Sequence, residues 1–238
     1  MKFSYSFSGN APVVKKYQIG ETWGAVAGIP AEIPTLSDTD GVLMCETTTC
    51  VDVVGVSTDV PGARNTAQQT GNADPATYVT LIVNPGVVYK AFLAGGATSG
   101  TALTALSNTV ASTNGLLTTL ALGTAYDDGY IWGATGANVR ILRKVTAVAG
   151  TNETPIIAFP YDIAVGDTFY AATFGPGEAA GIQLTTALDE IDATADLQST
   201  NNLRCVDFYQ LDASEQDQGH RSYAEIVLLD HLFAGSIT

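Results

Sequence analysis

Charged residues are scarce in this 238-residue chain, at 14% against about 25% in an average soluble domain. Basic residues are scarcest: 10 Lys plus Arg face 24 Asp plus Glu, for a formal charge of −14. Such a field repels phosphate backbones and anionic headgroups, which argues against direct nucleic-acid binding and against a charged membrane surface as partner. No basic residue occurs in 17–63, 91–139 or 151–203, and the last of these runs carries eight carboxylates. Cysteine is limited to Cys45, Cys50 and Cys205, with no CxxC spacing and no neighbouring histidine, so a zinc site is not indicated. Small apolar filling is one reading of these thiols; a Cys45–Cys50 bridge across a tight hairpin, formed in an oxidising compartment, is the other. The opening residues alternate aromatic and polar and lack the apolar stretch of a secretory signal. No apolar run approaches the roughly 20 residues of a membrane-spanning helix. The expectation is a soluble protein made in the cytosol.

Parts for catalysis are equally sparse. The two histidines, His220 and His231, sit in the turn-like Asp217-Gln218-Gly219-His220 and in an apolar closing segment after Asp230, where a structural role is expected. No serine lies in a GxSxG elbow. The glycines Gly95, Gly96 and Gly100 have no following Lys and Ser/Thr, which a phosphate-cradling loop needs. Gly129, Gly133 and Gly136 around Trp132 fit a glycine-rich β turn, without the βαβ context of a dinucleotide site. Carboxylates at Asp38/Asp40, Asp127/Asp128, Asp189/Glu190/Asp192 and Asp212/Glu215/Asp217 are oxygen donors of the kind Ca²⁺ takes, yet none follows an EF-hand pattern; solvated turn carboxylates are the simpler reading. Arg140, Arg143 and Lys144 form the one basic cluster, and strand alternation places Arg140 and Lys144 on one face. That face is either a contact for an acidic partner or a strand neutralised by acidic neighbours. No catalytic, cofactor-binding or metal-binding residue is assigned, and no enzyme activity is expected.

What the chain does have is apolar content, at 46% with mean hydropathy +0.17, enough to offset ordering entropy. Runs rich in Val, Ile, Thr, Tyr and Phe, punctuated by Gly, Pro, Asn and Asp, predict strands at 13–19, 23–27, 41–46, 51–57, 78–83, 87–93, 139–148, 155–159, 168–173, 203–211 and 223–229. Short helical turns are expected at most: one at 75–78, and 189–197 as either strand or helix. Residues 149–152 predict a Gly/Asn hairpin turn. The stretch 94–123 is rich in Gly, Ala, Thr and Ser, but its leucines predict that most of it packs. Ile19-Gly20-Glu21-Thr22-Trp23 matches Val165-Gly166-Asp167-Thr168-Phe169 in character, each a turn feeding a strand or a trace of duplicated modules. The fold class is all-β, as two small antiparallel barrel or sandwich domains. The expected boundaries are an N-terminal module at 1–83, a central barrel-like domain at 84–180, and C-terminal strands at 181–238 that return to pack on both.

Three stretches, Gly24-Ala25-Val26-Ala27-Gly28-Ile29-Pro30, Thr39-Asp40-Gly41-Val42-Leu43-Met44-Cys45 and Val53-Val54-Gly55-Val56-Ser57-Thr58-Asp59, resemble the N-terminal β module of tailed-bacteriophage capsid decoration proteins. Residues 83–91, 95–103, 129–136 and 222–233 are similar in character to phage virion proteins. The resemblance implies a β-tulip-like module on the outer capsid surface, the major capsid (coat) protein as partner, a homotrimer, and work done by adhesion. A long region beyond the compact module departs from that pattern. An alternative with the same composition is a head-fibre or tail adhesin for a host surface glycan, with Trp132, Tyr130 and Tyr126 lining an exposed site. A hydrolase with two facing carboxylates is the third.

Overall fold

The computed structural model describes residues 1–6, 9, 11–20, 23, 26–33, 41–47, 49–50, 52–59, 78–94, 103–104, 117–118, 128–146, 152–185, 188, 190–192, 202–218 and 220–229. Half of the interpretable residues are in strands, and the fold is all-β. The strands are β1 (Lys2–Ser6), β2 (Val14–Gln18), β3 (Pro30–Glu32), β4 (Leu43–Met44), β5 (Val53–Ser57), β6 (Tyr78–Ile82), β7 (Val87–Ala94), β8 (Leu103–Thr104), β9 (Leu117–Thr118), β10 (Tyr130–Gly133), β11 (Leu142–Thr146), β12 (Asn152–Pro155), β13 (Thr168–Ala172), β14 (Ala179–Ala180), β15 (Glu190–Asp192), β16 (Leu203–Tyr209) and β17 (Tyr223–Leu228). One short helix among the described residues, α1, spans Ala213–Asp217.

Three sheets result. The first runs β1-β7-β17-β16-β14, with β15 joining β7 in parallel; the second runs β8-β13-β10-β11-β12-β9; the third runs β2-β6-β5-β3-β4. The chain 1–83 supplies strands to two of them, because β1 pairs with β7. C-terminal β17 also pairs with β7, and β16 pairs with β17.

Alternation explains the layers. In β7, Tyr89, Ala91 and Leu93 are buried while Lys90 and Phe92 are half-buried on the other side, the period-two pattern of a sheet with one wet face. Its inner face shares a large core with Trp132, Tyr170 and Ala172 of the second sheet and Val53, Val56 and Ile82 of the third. The opposite faces close two smaller cores: Ile131, Val145, Phe169 and Ala171 with Phe159 and Ile163, and Val54, Val79 and Leu81 with Ala31 and Val42. Hence β5, buried along its length, reads as the apolar run Val-Val-Gly-Val. Gly55 in its middle lies against β6, where a Cβ would sit 2.0 Å from the Ile82 carbonyl oxygen; only glycine permits that approach.

Trp132 is the largest fully buried side chain. Its indole N–H donates to the Leu211 carbonyl at 2.9 Å, and its ring meets Phe208 edge-on at 5.3 Å and Tyr170 at 6.0 Å. These contacts fasten the first two sheets together and hold the segment leading into α1.

Several expectations shift. Trp23, Val26 and Ala27 are outside any strand, and the strand falls at β3, where Pro30 occupies the first position and its missing N–H is tolerated. Residues 130–133, read as a turn because of their glycines, form β10; Gly133 serves close packing, since a Cβ there would lie 2.2 Å from the Asn138 carbonyl oxygen. The β11–β12 hairpin forms, but its second strand is Asn152–Pro155 rather than 155–159. Glu190–Asp192 is strand; the rest of 189–197, the turn at 149–151 and the helical turn expected at 75–77 lie outside the described residues, while Tyr78 begins β6. Gly166 and Asp167 do turn the chain into β13, whereas Glu21 and Thr22 lie outside. No described helix is long and apolar enough to cross a membrane.

Of the two readings of the thiols, the bridge holds: Cys45 and Cys50 are disulfide-bonded, with Cα atoms 5.6 Å apart, and Cys205 is free and buried. Trp132→Ala should destabilise the fold by about 3–5 kcal/mol, read from the urea midpoint. Replacing Cys45 and Cys50 together by serine should cost about 2 kcal/mol, the loop-closure value for so short a ring, with the slope against denaturant nearly unchanged.

Candidate functional site

The basic cluster read from sequence is taken apart by the fold. Arg140 precedes β11 in a left-handed conformation, φ 61°, and its guanidinium pairs with Asp212 at 3.0 Å and with Glu215. Lys144 pairs with Glu178 at 2.5 Å. Arg143 donates to the carbonyls of Ala158 at 3.1 Å and Leu142 at 2.9 Å, over the Phe159 ring. Each cation thus has an internal acceptor, so the neutralised-strand reading stands and the partner-contact reading is not supported.

Asp212 precedes α1 and Glu215 lies in its first turn. Asp212 accepts from the Ser214 hydroxyl at 2.6 Å and the Glu215 N–H at 2.9 Å, a short-helix N-cap. Those two bonds, then Arg140, hold its carboxyl below the usual carboxylate range against a desolvation that pulls upward. Glu215, also opposed by desolvation, is held low by the Tyr209 hydroxyl at 2.7 Å, the Asp212 N–H and Arg140. Among the described residues, no three His, Cys, Asp or Glu side chains converge as metal ligands. Asp38, Asp40, Asp127, Asp189, His231, Tyr126, Gly95, Gly96 and Gly100 lie outside the described residues. Burial raises the Cys205 thiol to about 12, where it is inert as a nucleophile.

The aromatic site expected around Trp132 is corrected: Trp132 is 0% exposed and no ligand reaches it. Tyr130 is half-buried, its hydroxyl raised to about 12 by desolvation and Glu178.

A different aromatic set reaches the surface, on the outer face of the first sheet. A β-bulge between Cys205 and Asp207 shifts the β16 register, so Cys205 and Phe208 both point into the core and Tyr209 points out. Phe92, Tyr223 and Tyr209 then stand directly opposite one another across β7, β17 and β16. Tyr209 and Tyr223 stack at 5.0 Å and 8°. In the next row, Lys2, Lys90 and Glu225 are register partners. The Lys90 ammonium lies 3.5 Å from the Tyr223 centroid, and the Arg221 guanidinium 4.7 Å from that of Phe92. An open groove of 490 Å³ is lined by Lys90, Phe92, Tyr209, His220, Arg221 and Tyr223. His220 is exposed, its N–H on the Glu215 carbonyl. The available signal was the Tyr89-Lys90-Ala91-Phe92-Leu93 alternation; the bulge that completes the row has none.

A second surface feature lies over the small core of the second sheet. In 156–165, Phe159 and Ile163 are buried, while Ile156, Ile157, Tyr161 and Val165 are 53%, 68%, 56% and 60% exposed. The segment is pinned: buried Asn138 donates to the Tyr161 carbonyl at 2.9 Å and accepts from its N–H at 3.2 Å, and the Ala164 N–H donates to Asp167 at 2.9 Å.

Comparison with protein families, curated proteins and solved structures finds no match. The functional reading therefore draws on the geometry together with the sequence resemblance.

The Arg140 network has a pH signature. Carboxyls held low in the folded state contribute stability above the unfolded carboxylate range and lose it as pH falls through their depressed values. The side chains of Arg140, Asp212 and Glu215 are 43%, 16% and 20% exposed, so solvent screening keeps the contribution small. Glu215→Gln should lower stability at pH 7 by about 1 kcal/mol or less. The difference from wild type should shrink toward pH 2–3, as urea midpoints across that range will show.

Proposed function

We propose that the chain is a virion structural protein that decorates and stabilises a bacteriophage capsid, bound to the outer surface of the coat shell. The observation that carries this reading is the pinned apolar platform at 156–165. Ile156, Ile157, Tyr161 and Val165 are exposed beside the carboxylate of Asp162, Phe159 and Ile163 anchor the segment inward, and its backbone is held by Asn138. A backbone fixed in advance loses little entropy on docking, and exposed large apolar side chains are the composition of an interface centre. A stable contact buries about 800 Å² on each partner, and a chain with only 14% charged residues suits that requirement. The N-terminal resemblance supplies the partner class, the major capsid protein, and the homotrimeric state. Neither nucleic acid nor membrane is required.

The test is sedimentation of purified protein with expanded, undecorated capsids, alongside mass spectra of virions and light scattering for the trimer. Saturable co-sedimentation and presence in the virion are expected. Ile156→Asp with Ile157→Asp should weaken capsid binding roughly tenfold or more while leaving the melting temperature nearly unchanged, since both side chains are exposed. Absence from virions together with no capsid binding overturns the reading.

A further inference from the structure

We propose that the groove on the outer face of the first sheet is a binding site for an anionic sugar, one carrying a carboxylate on a hydroxyl-rich ring, taken as a free saccharide or as a unit of a surface polysaccharide. The inference goes beyond capsid decoration and does not depend on it.

Charge placement is the first ground. The chain carries 10 basic residues against 24 acidic ones, yet Lys2, Lys90 and Arg221 gather about Phe92, at 5.6, 5.3 and 4.7 Å from its centroid. Arg221 is held by Glu190 at the groove margin, and Glu225 accepts from the Ser4 hydroxyl at 3.1 Å. Lys90 differs from Arg140 and Lys144: among the described residues its ammonium has aromatic rings as neighbours and no carboxylate paired with it. A cation held by ring faces keeps its charge available while its position is fixed. An arriving carboxylate meets an ammonium already oriented, and a charge-assisted hydrogen bond follows.

Shape and lining choose the rest of the ligand. A volume of 490 Å³ exceeds what a lone inorganic anion fills and lies within the roughly 300–1,000 Å³ of small-molecule sites. A folded partner surface fits the outward platform at 156–165 better than this concavity. Tyr223 is already stacked on Tyr209 and capped by Lys90, which leaves it a poor platform for a nucleobase. The groove instead alternates donors, at Lys90, His220 and Arg221, with the rings of Phe92, Tyr209 and Tyr223. A pyranose matches that alternation without needing a free ring face, with hydroxyl oxygens toward the donors and C–H groups toward the ring edges.

The full chain, isotope-labelled, is titrated with trigalacturonic acid, with the neutral galactose trimer and with sodium phosphate, following aromatic and backbone resonances and checking affinity by calorimetry. Saturable binding of the acidic trimer is expected, with shifts centred on Phe92, Tyr209 and Tyr223 and weakening as salt rises. Lys90→Met should reduce affinity at least about tenfold, Lys16→Met on β2 should not, and Arg221→Met, at an exposed position before β17, gives a second variant that spares the strand. No saturable binding, equal binding of the neutral trimer, or affinity unchanged in both groove variants overturns the proposal. Phosphate alone occupying the site as tightly as the acidic trimer also overturns it, because the groove would then hold a bare anion.

Discussion

Burial of one indole organises most of this fold. Trp132 is too large to be covered by its own sheet, so the first sheet must close over it, and its N–H must find an acceptor once water is gone. The Leu211 carbonyl supplies that acceptor, and Leu211 lies between β16 and α1. From this follow the edge-on contact with Phe208 and the placement of α1, whose Asp212 and Glu215 then reach Arg140. A chain with few ion pairs to spend on its surface relies on apolar shape complementarity for a unique structure.

The same constraint decides what faces outward. Phe208 must point inward to meet Trp132, but continuous alternation from Leu203 and Cys205 would put it outside. The bulge between Cys205 and Asp207 resolves that conflict by inserting one residue. Its consequence appears one position later, where Tyr209 turns to the wet face and stacks on Tyr223. Core packing thereby builds a surface feature, and the cations nearby settle over the exposed rings.

Legibility from sequence followed the strength of local signals. The all-β class and β2, β5, β6, β7, β11, β13, β16 and β17 were readable because β-branched and aromatic residues recur in runs bounded by turn formers. β10 was not, because Gly129, Gly133 and Gly136 read as a turn while Gly133 serves a close backbone approach that only the third dimension reveals. The Cys45–Cys50 spacing allowed a bridge without requiring it. Only the adhesin alternative placed Trp132 in an exposed glycan site, on residue type alone; a glycine-flanked tryptophan carries no local sign of the sheet that will bury it. The groove combines residues from β7, β16, β17 and the approach to β17, and depends on a register shift no composition encodes. Arg140, Arg143 and Lys144 looked like a patch because the carboxylates at 178, 212 and 215 that pair Lys144 and Arg140, and the Ala158 carbonyl that Arg143 reaches, are distant in sequence.

The layer order gives the two surface features a relation that neither has alone. The groove lies on the outer face of the first sheet, whose inner face shares the large core with Trp132 and Tyr170 of the second. The second sheet's other face, through Ile131 and Phe169, closes the small core that Phe159 and Ile163 cap from the 156–165 segment. Groove and platform therefore belong to different layers that meet at an edge: Asn138, which holds Tyr161, stands just before Arg140, whose guanidinium lies 5.8 Å from the Tyr209 centroid. Each feature is removable by substitutions that leave the shared core around Trp132 intact.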